Sequence, residues 1–222
     1  MTKYTGRIIT SSSSILPGDH ESWPIARVKT KEAKSGLAMM RCAATRPEFI
    51  DGWIKCVDSL QEAWVSFEHE GNSLGSSFKG WFGQSKKSRK KDPLLRYMYE
   101  ARNQSQHGHV VIEWAESHLN IAPNFTGTIK SLRVSVDSSY VFDAEPAYSG
   151  NPPSLELVHG LPQLPTITNK KTGNSYAPPK MHLGQPINTG CPATVASMAI
   201  TYQEDVFEAA FSRFSDRPYG DL

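Results

Sequence analysis

The longest regular pattern in the chain lies between Thr45 and Gly71. Phe49, Trp53, Ile54, Val57, Leu60, Trp64 and Phe67 recur at intervals of three and four, the spacing that places side chains on one face of an α-helix. Thr45 stands where an N-cap belongs, and Pro47 falls in the first turn, where a missing N–H removes no helical hydrogen bond. The spacing predicts an amphipathic helix whose aromatic stripe faces a core and which ends near Gly71. A second helix is predicted over 29–44, with Leu37, Met40 and Ala44 on one side. Asp92-Pro93 opens another, with Asp as cap, Pro at the first position, and Leu94, Leu95 and Met98 turned inward. From Pro192, the residues Val195, Ala199, Tyr202, Val206, Ala210 and Phe214 mark a last amphipathic helix of about six turns.

Elsewhere the helical period is lost. Residues 1–28 read as an irregular arm, because Ser11 to Ser14 is low in complexity and Pro17-Gly18 and Pro24 interrupt any helix. Asn72 to Lys91 reads as a loop rich in Gly, Ser and Lys that carries Phe78, Trp81 and Phe82. After Gly108, the run Val110-Val111-Ile112 with Trp114 fits either a continued helix or a strand. Thr128 to Val136 alternates, Tyr140 to Phe142 is a pairing partner across Asp137-Ser138-Ser139, and Leu155 to Val158 and Thr166 to Thr168 are short strand candidates. The expected architecture is α+β: a helical bundle over 29–120, a small antiparallel β-rich insertion over 121–190, and a C-terminal helix within 191–222 that packs back on the bundle. No internal repeat is evident.

At 222 residues, with 38% hydrophobic and 21% charged residues, the chain has the composition of a folded protein rather than a disordered one. No stretch approaches 18 consecutive apolar residues, so no membrane helix is expected. Met1 to Ser14 is polar without an apolar core, so no secretory signal is expected and a cytoplasmic location is. Cys42, Cys56 and Cys191 lack the C-x-x-C spacing and are expected to be reduced and buried. The net charge of +2 is unevenly laid out. Lys79, Lys86, Lys87, Arg89, Lys90 and Lys91 follow one another with no acid before Asp92; setting those six aside leaves 18 basic residues against 22 acidic ones, a remainder of −4. A basic cluster on an acidic body points to an anionic partner.

Candidate chemistry sits just after the Asp92 helix, in Arg102-Asn103-Gln104-Ser105-Gln106-His107. Arg carries a permanent charge in a fork that fits phosphate, and His exchanges protons near neutrality. Together they form a minimal set for splitting a phosphodiester without a metal. On a continuous helix Arg102 and His107 would lie about 140° apart, so converging on one phosphate requires a break or a second subunit. The segment Lys86, Lys87, Arg89, Lys90 and Lys91, beside Trp81 and Phe82, sets phosphate-binding cations next to rings able to stack unpaired bases; its plain alternative is a solvated loop. His107-Gly108-His109 lacks a carboxylate partner and falls short of the three or four ligands zinc needs, so no metal is expected. Cys191 at a helix start reads as incidental, and His182-Leu183-Gly184 as a turn.

A long helix, a basic loop, and a helix ending in Arg102-Asn103-x-x-x-His107 resemble the HEPN superfamily, whose ribonuclease members carry an Arg, a polar residue and a His four to six residues after the Arg. The resemblance spans about residues 29–118, does not include the β-rich stretch, and lacks a Tyr that some members carry shortly after the His. It implies a helical domain that dimerises so that two Arg/His sets line one cleft. It also implies a metal-independent, cofactor-free endoribonuclease of the toxin or phage-defence kind, with RNA as substrate and an antitoxin or regulatory partner. In that reading His107 is the general base or acid, Arg102 holds the scissile phosphate, and Asn103 orients the imidazole or touches phosphate. Other relatives serve as binding or assembly domains, so a non-catalytic nucleotide- or protein-binding module is the alternative.

Overall fold

The computed structural model describes residues 23–106, 112–121, 155–158 and 160–214. Within them the chain is mostly helical, with small antiparallel sheets and a C-terminal helix, in keeping with the α+β expectation. The helices are α1 (Pro24–Cys42), α2 (Arg46–Gly71), α3 (Ser76–Lys91), α4 (Pro93–Ser105) and α5 (Pro192–Phe214). The short strands pair two by two and always antiparallel: β1 (Glu113–Trp114) with β4 (Pro162–Gln163), and β2 (His118–Ile121) with β3 (Leu155–Val158). Likewise β5 (Ile167–Thr168) pairs with β6 (Ser175–Tyr176), and β7 (Met181–His182) with β8 (Gln185–Pro186). Pairing thus begins at Glu113, ahead of the expected insertion at 121. The strand candidates of 128–142 lie outside the described residues.

Helices α1 and α2 form an antiparallel hairpin. The Ile25 and Ala26 N–H groups donate to Glu70, Lys29 pairs with Glu62 at 2.9 Å, and Lys55 donates to Ser35 at 3.1 Å. The turn between them ends in a capping box: Thr45 Oγ1 accepts from the Glu48 N–H, and the Glu48 carboxylate accepts from the Thr45 N–H. Two glycines set the spacing. A Cβ on Gly36 would lie 2.6 Å from Cys56 N and 2.7 Å from Gly52 O, and one on Gly52 would lie 2.8 Å from Met40 N and 2.9 Å from Gly36 O. The backbones therefore touch where a side chain would keep them apart. Helix α1 starts at Pro24, inside the segment expected to be an irregular arm. Pro24 is its first residue rather than a breaker, because a proline there loses no intrahelical bond.

Residues 76–91 form a helix where a loop was expected. Gly80, Gly83 and four serines argue against a helix by propensity alone. Tertiary packing overrides them: Phe78 and Phe82 are four apart and both buried in an aromatic cluster with Trp23, Trp64, Phe67 and Phe214. Phe67 sits at its centre, stacked on Phe207 at 4.0 Å and on Trp23 at 5.0 Å between ring centroids. The other core joins α1, α2, α4 and α5 through Leu37, Met40, Trp53, Val57, Leu94, Met98 and Val195. On α5 the fully buried Gln203 donates to Leu60 O at 2.9 Å, so its amide is not left unpaired between helices. Cys56 is buried, which pushes its thiol up to about 12, and Cys191 is half-buried. Cys42 departs from expectation and is exposed, because it falls in the last turn of α1 beyond the hairpin contact.

Asp92 holds the entrance of α4. One carboxylate oxygen accepts from the Leu95 N–H at 3.0 Å, as an N-cap should, and lies 3.1 Å from His182 Nδ1; the other accepts from the Leu183 N–H at 2.7 Å. His182, expected only as part of a turn, is thus buried against the bundle. Leu183 and Gly184 form the two-residue turn of the β7–β8 hairpin with φ of 49° and 78°. The remaining ties run to α4: Tyr97 Oη donates to Pro165 O, Gln104 Nε2 to Thr168 O, and Asn169 Nδ2 to Glu100 Oε2. The segment 160–190 is therefore stapled along α4.

Two measurements check this frame. Gly52→Ala adds a better helix former, by about 1 kcal/mol in an open helix. Against a backbone 2.8 Å away, overpacking outweighs that gain, and urea denaturation should show a net loss of about 2 kcal/mol. A gain would refute the close contact. For Asp92, burial raises the carboxyl pKa, but hydrogen bonds from Leu183, Leu95 and His182 more than offset it, and the pKa is lowered overall. Its contribution is therefore complete above the unfolded pKa of about 4 and fades as pH falls through the lower folded value. Asp92→Ser, which keeps a cap, should be less stable than the parent at pH 7 and approach it below about pH 4. A constant gap down to acid would show that the charge does not matter.

Candidate functional site

The last turn of α4 presents Arg102 and Asn103. The helix stops at Ser105, and the Gln106 N–H closes on Arg102 O at 3.2 Å. Arg102 is turned to α2, its Nε 3.6 Å from Asp58 Oδ1, and Gln106 Nε2 donates to the same oxygen at 2.9 Å. At 3.6 Å the Arg102 contact is an ion pair without a hydrogen bond, and among the described residues its buried Nε has no hydrogen-bond acceptor. Asn103 is half-buried and, about 100° further round the helix, shares a face with Arg96, Tyr99 and Glu100. Arg102 and Asn103 thus point apart. His107 lies outside the described residues, as does His109.

The basic residues of α3 build a more elaborate site. Arg89 lies flat over Trp64, with its guanidinium carbon 4.0 Å from the ring centroid, and donates to Gln61 Oε1 at 3.2 Å. Among the described residues it forms no ion pair, and burial pulls its pKa down to about 10. Arg96, on α4, lies over the Tyr176 ring at 4.7 Å and donates to the Tyr176 hydroxyl at 3.2 Å. These groups, with Lys86, Lys90, Tyr99, Glu68 and Glu100, enclose a cavity of about 530 Å³ floored by Trp64 and Leu95. Four cations face it against two carboxylates, a surplus of two positive charges. Lys86 is paired with Glu68 at 2.6 Å, and Glu100 is buried and held by Asn169; Glu68 helps hold the Arg89 charge through space without forming an ion pair with it.

Lys86 and Lys90 also line a second cavity, of about 420 Å³, together with Lys79 and Lys87. The basic helix therefore carries cations on both flanks, and Lys91 is exposed at its end. Trp81, expected beside bound bases, is half-buried with its ring against Phe78 and Phe214. Arg96, Tyr99 and Tyr176 were not singled out in the sequence. The first two fall at polar positions three apart among buried leucines, a signal that a helical wheel exposes. Tyr176 arrives from 80 residues away and leaves no local trace.

Among the described residues, no group of three His, Cys, Asp or Glu gathers around a point that could hold a metal ion. No helix among them is long and apolar enough to cross a membrane. The Arg89 environment makes a testable statement about stability. A half-buried guanidinium without a counter-ion does not help folding, so Arg89→Met, which keeps contact with Trp64, should be neutral or stabilising by up to about 1 kcal/mol in urea denaturation. A loss above about 2 kcal/mol would make Arg89 a structural residue. Comparison of this chain with protein-family models, with curated proteins and with solved structures finds no match in any of the three.

Proposed function

We propose that this protein is a HEPN-like, metal-independent endoribonuclease that cuts single-stranded RNA through Arg102 and His107, acting as a toxin or phage-defence effector. The observation that supports the reading is Arg102 in the last turn of α4, partly buried and paired with Asp58 of α2. On a continuous helix Arg102 and His107 would lie about 140° apart, so the reading requires a break after α4 or a second copy of the chain. The ion pair with Asp58 fixes the Arg102 side chain on α2, and the cations of α3 supply a surface for the RNA backbone.

The chemistry follows from the side chains. His107 takes the proton of a ribose 2′-hydroxyl, whose oxygen attacks the adjacent phosphorus. The bond to the 5′-oxygen breaks, and that oxygen receives a proton from an imidazolium, supplied by the second copy in a two-fold dimer. The products are a 2′,3′-cyclic phosphate and a 5′-hydroxyl. Arg102 stabilises the charge that grows on the non-bridging oxygens. An antitoxin or regulatory partner would restrain the activity in the cell.

One observation favours a second reading, a non-catalytic binding module: the cation-lined cavity between α2, α3 and α4 is lined by neither Arg102 nor Asn103. The two are separated by one assay. Purified protein should cut single-stranded RNA in EDTA, with a dependence on a group titrating near 6 to 7. His107→Ala should lower the rate by about 10² or more with the fold intact. Arg102→Ala should damage rate and RNA binding together. A 2′-deoxy residue at the cut position should block the reaction. Absence of cleavage on every RNA tried, or full activity in His107→Ala, leaves the binding module.

A further inference from the structure

The α2–α3–α4 cavity has features that the cleavage chemistry does not use. Its floor is apolar and aromatic, and Tyr99 stands at its edge with 45% of its surface exposed. Arg89 and Arg96 lie flat on Trp64 and Tyr176, which fixes each guanidinium plane and leaves its edge for a ligand. Lys90 adds an exposed ammonium with no ion-pair partner among the described residues. Arg89 is half-buried and makes no ion pair among the described residues, and the Glu68 carboxylate that helps it through space is already engaged by Lys86, which leaves room for a further anion. At about 530 Å³ the space is larger than one inorganic anion needs and falls in the range of small-molecule sites.

We propose that this cavity binds a phosphate ester carried on a planar ring, with the phosphate on Arg89, Lys90 and Arg96 and the ring against Tyr99 and Val65. A carboxylate has two oxygens to offer a guanidinium; a phosphate monoester has three to share among the cations that line the cavity. The ring accounts for the apolar remainder of the wall, which a bare anion would leave wet. Two sources share this chemistry: a free aryl or nucleoside monophosphate, and a nucleotide residue of a bound single strand entering from Lys86 and Lys87.

The test uses calorimetric titration of the full-length chain with phenyl phosphate, inorganic phosphate, phenol and an eight-residue oligouridylate. Phenyl phosphate should bind with Kd below about 1 mM, and inorganic phosphate and phenol each at least about tenfold more weakly, because each fills only half of the site. Arg89→Met should weaken phenyl phosphate by about tenfold or more. Tyr99→Ala, a change at an exposed rim position, should weaken it severalfold while inorganic phosphate binding is unchanged. Arg89 dependence with phenyl phosphate assigns a free small molecule; Arg89 dependence with the oligomer alone assigns a nucleotide of a strand. Either supports the site. If neither ligand depends on Arg89, or if phenyl phosphate binds no better than inorganic phosphate and the oligomer is indifferent to Tyr99→Ala, the proposal is overturned. None of these readings requires RNA cleavage, so failure here leaves the ribonuclease proposal standing, and the reverse.

Discussion

The contact of α1 with α2 at Gly36 and Gly52 constrains the rest of the molecule. Backbone touches backbone there, so the hairpin axis is fixed by covalent geometry rather than by side chains that can change rotamer. Everything with chemical interest hangs from α2. Asp58, Gln61, Trp64 and Glu68 lie along one side of it and receive Arg102, Arg89 and Lys86 from the later helices. A rigid α2 therefore acts as a ruler on which the cations of α3 and α4 are laid out.

Helix α4 is the second organising element, and its two ends differ in character. The N-terminal end is closed by Asp92, which meets a helix N–H, a hairpin N–H and a histidine with one carboxylate. The C-terminal end is tied by several side chains instead: Arg102 and Gln106 to Asp58, and Gln104 to Thr168 O. Between them, Arg96 and Tyr99 look into the cavity and Tyr97 anchors the β segment through Pro165. One buried carboxylate thus fixes the start of the helix, while its finish is shared between α2 and the β segment.

Much of this was readable from residue order, and the exceptions have physical causes. The Thr45 cap, the Asp92-Pro93 start and the α5 stripe are local signals, and each appears where its spacing put it. The α3 helix was missed because its propensity is poor and its stability comes from Phe78 and Phe82 meeting Phe67 and Trp23, residues distant in the chain. The start of α1 was missed because Pro24 reads equally as breaker and as first residue until the following turn is known. As for the site, the basic residues were visible as a charge run, but which of them is buried was not. Arg89 differs from Lys87 and Lys91 only through Trp64, a full helix away. The divergence of Arg102 and Asn103 depends on which face of α4 meets α2, and local spacing leaves that open.

The hydrogen bonds from Ile25 and Ala26 to Glu70 carry a further meaning. Trp23, ahead of α1, offers no side-chain cap, and its left-handed φ of 58° begins the helix unaided. The acceptor comes instead from the far end of α2, 45 residues along the chain. The first turn of α1 is therefore conditional on the last turn of α2. Fraying at either one exposes the other, and the aromatic cluster beneath Trp23 opens with them. Those bonds couple the opening of the first turn of α1 to that of the last turn of α2, although most of the hairpin's length separates them in sequence.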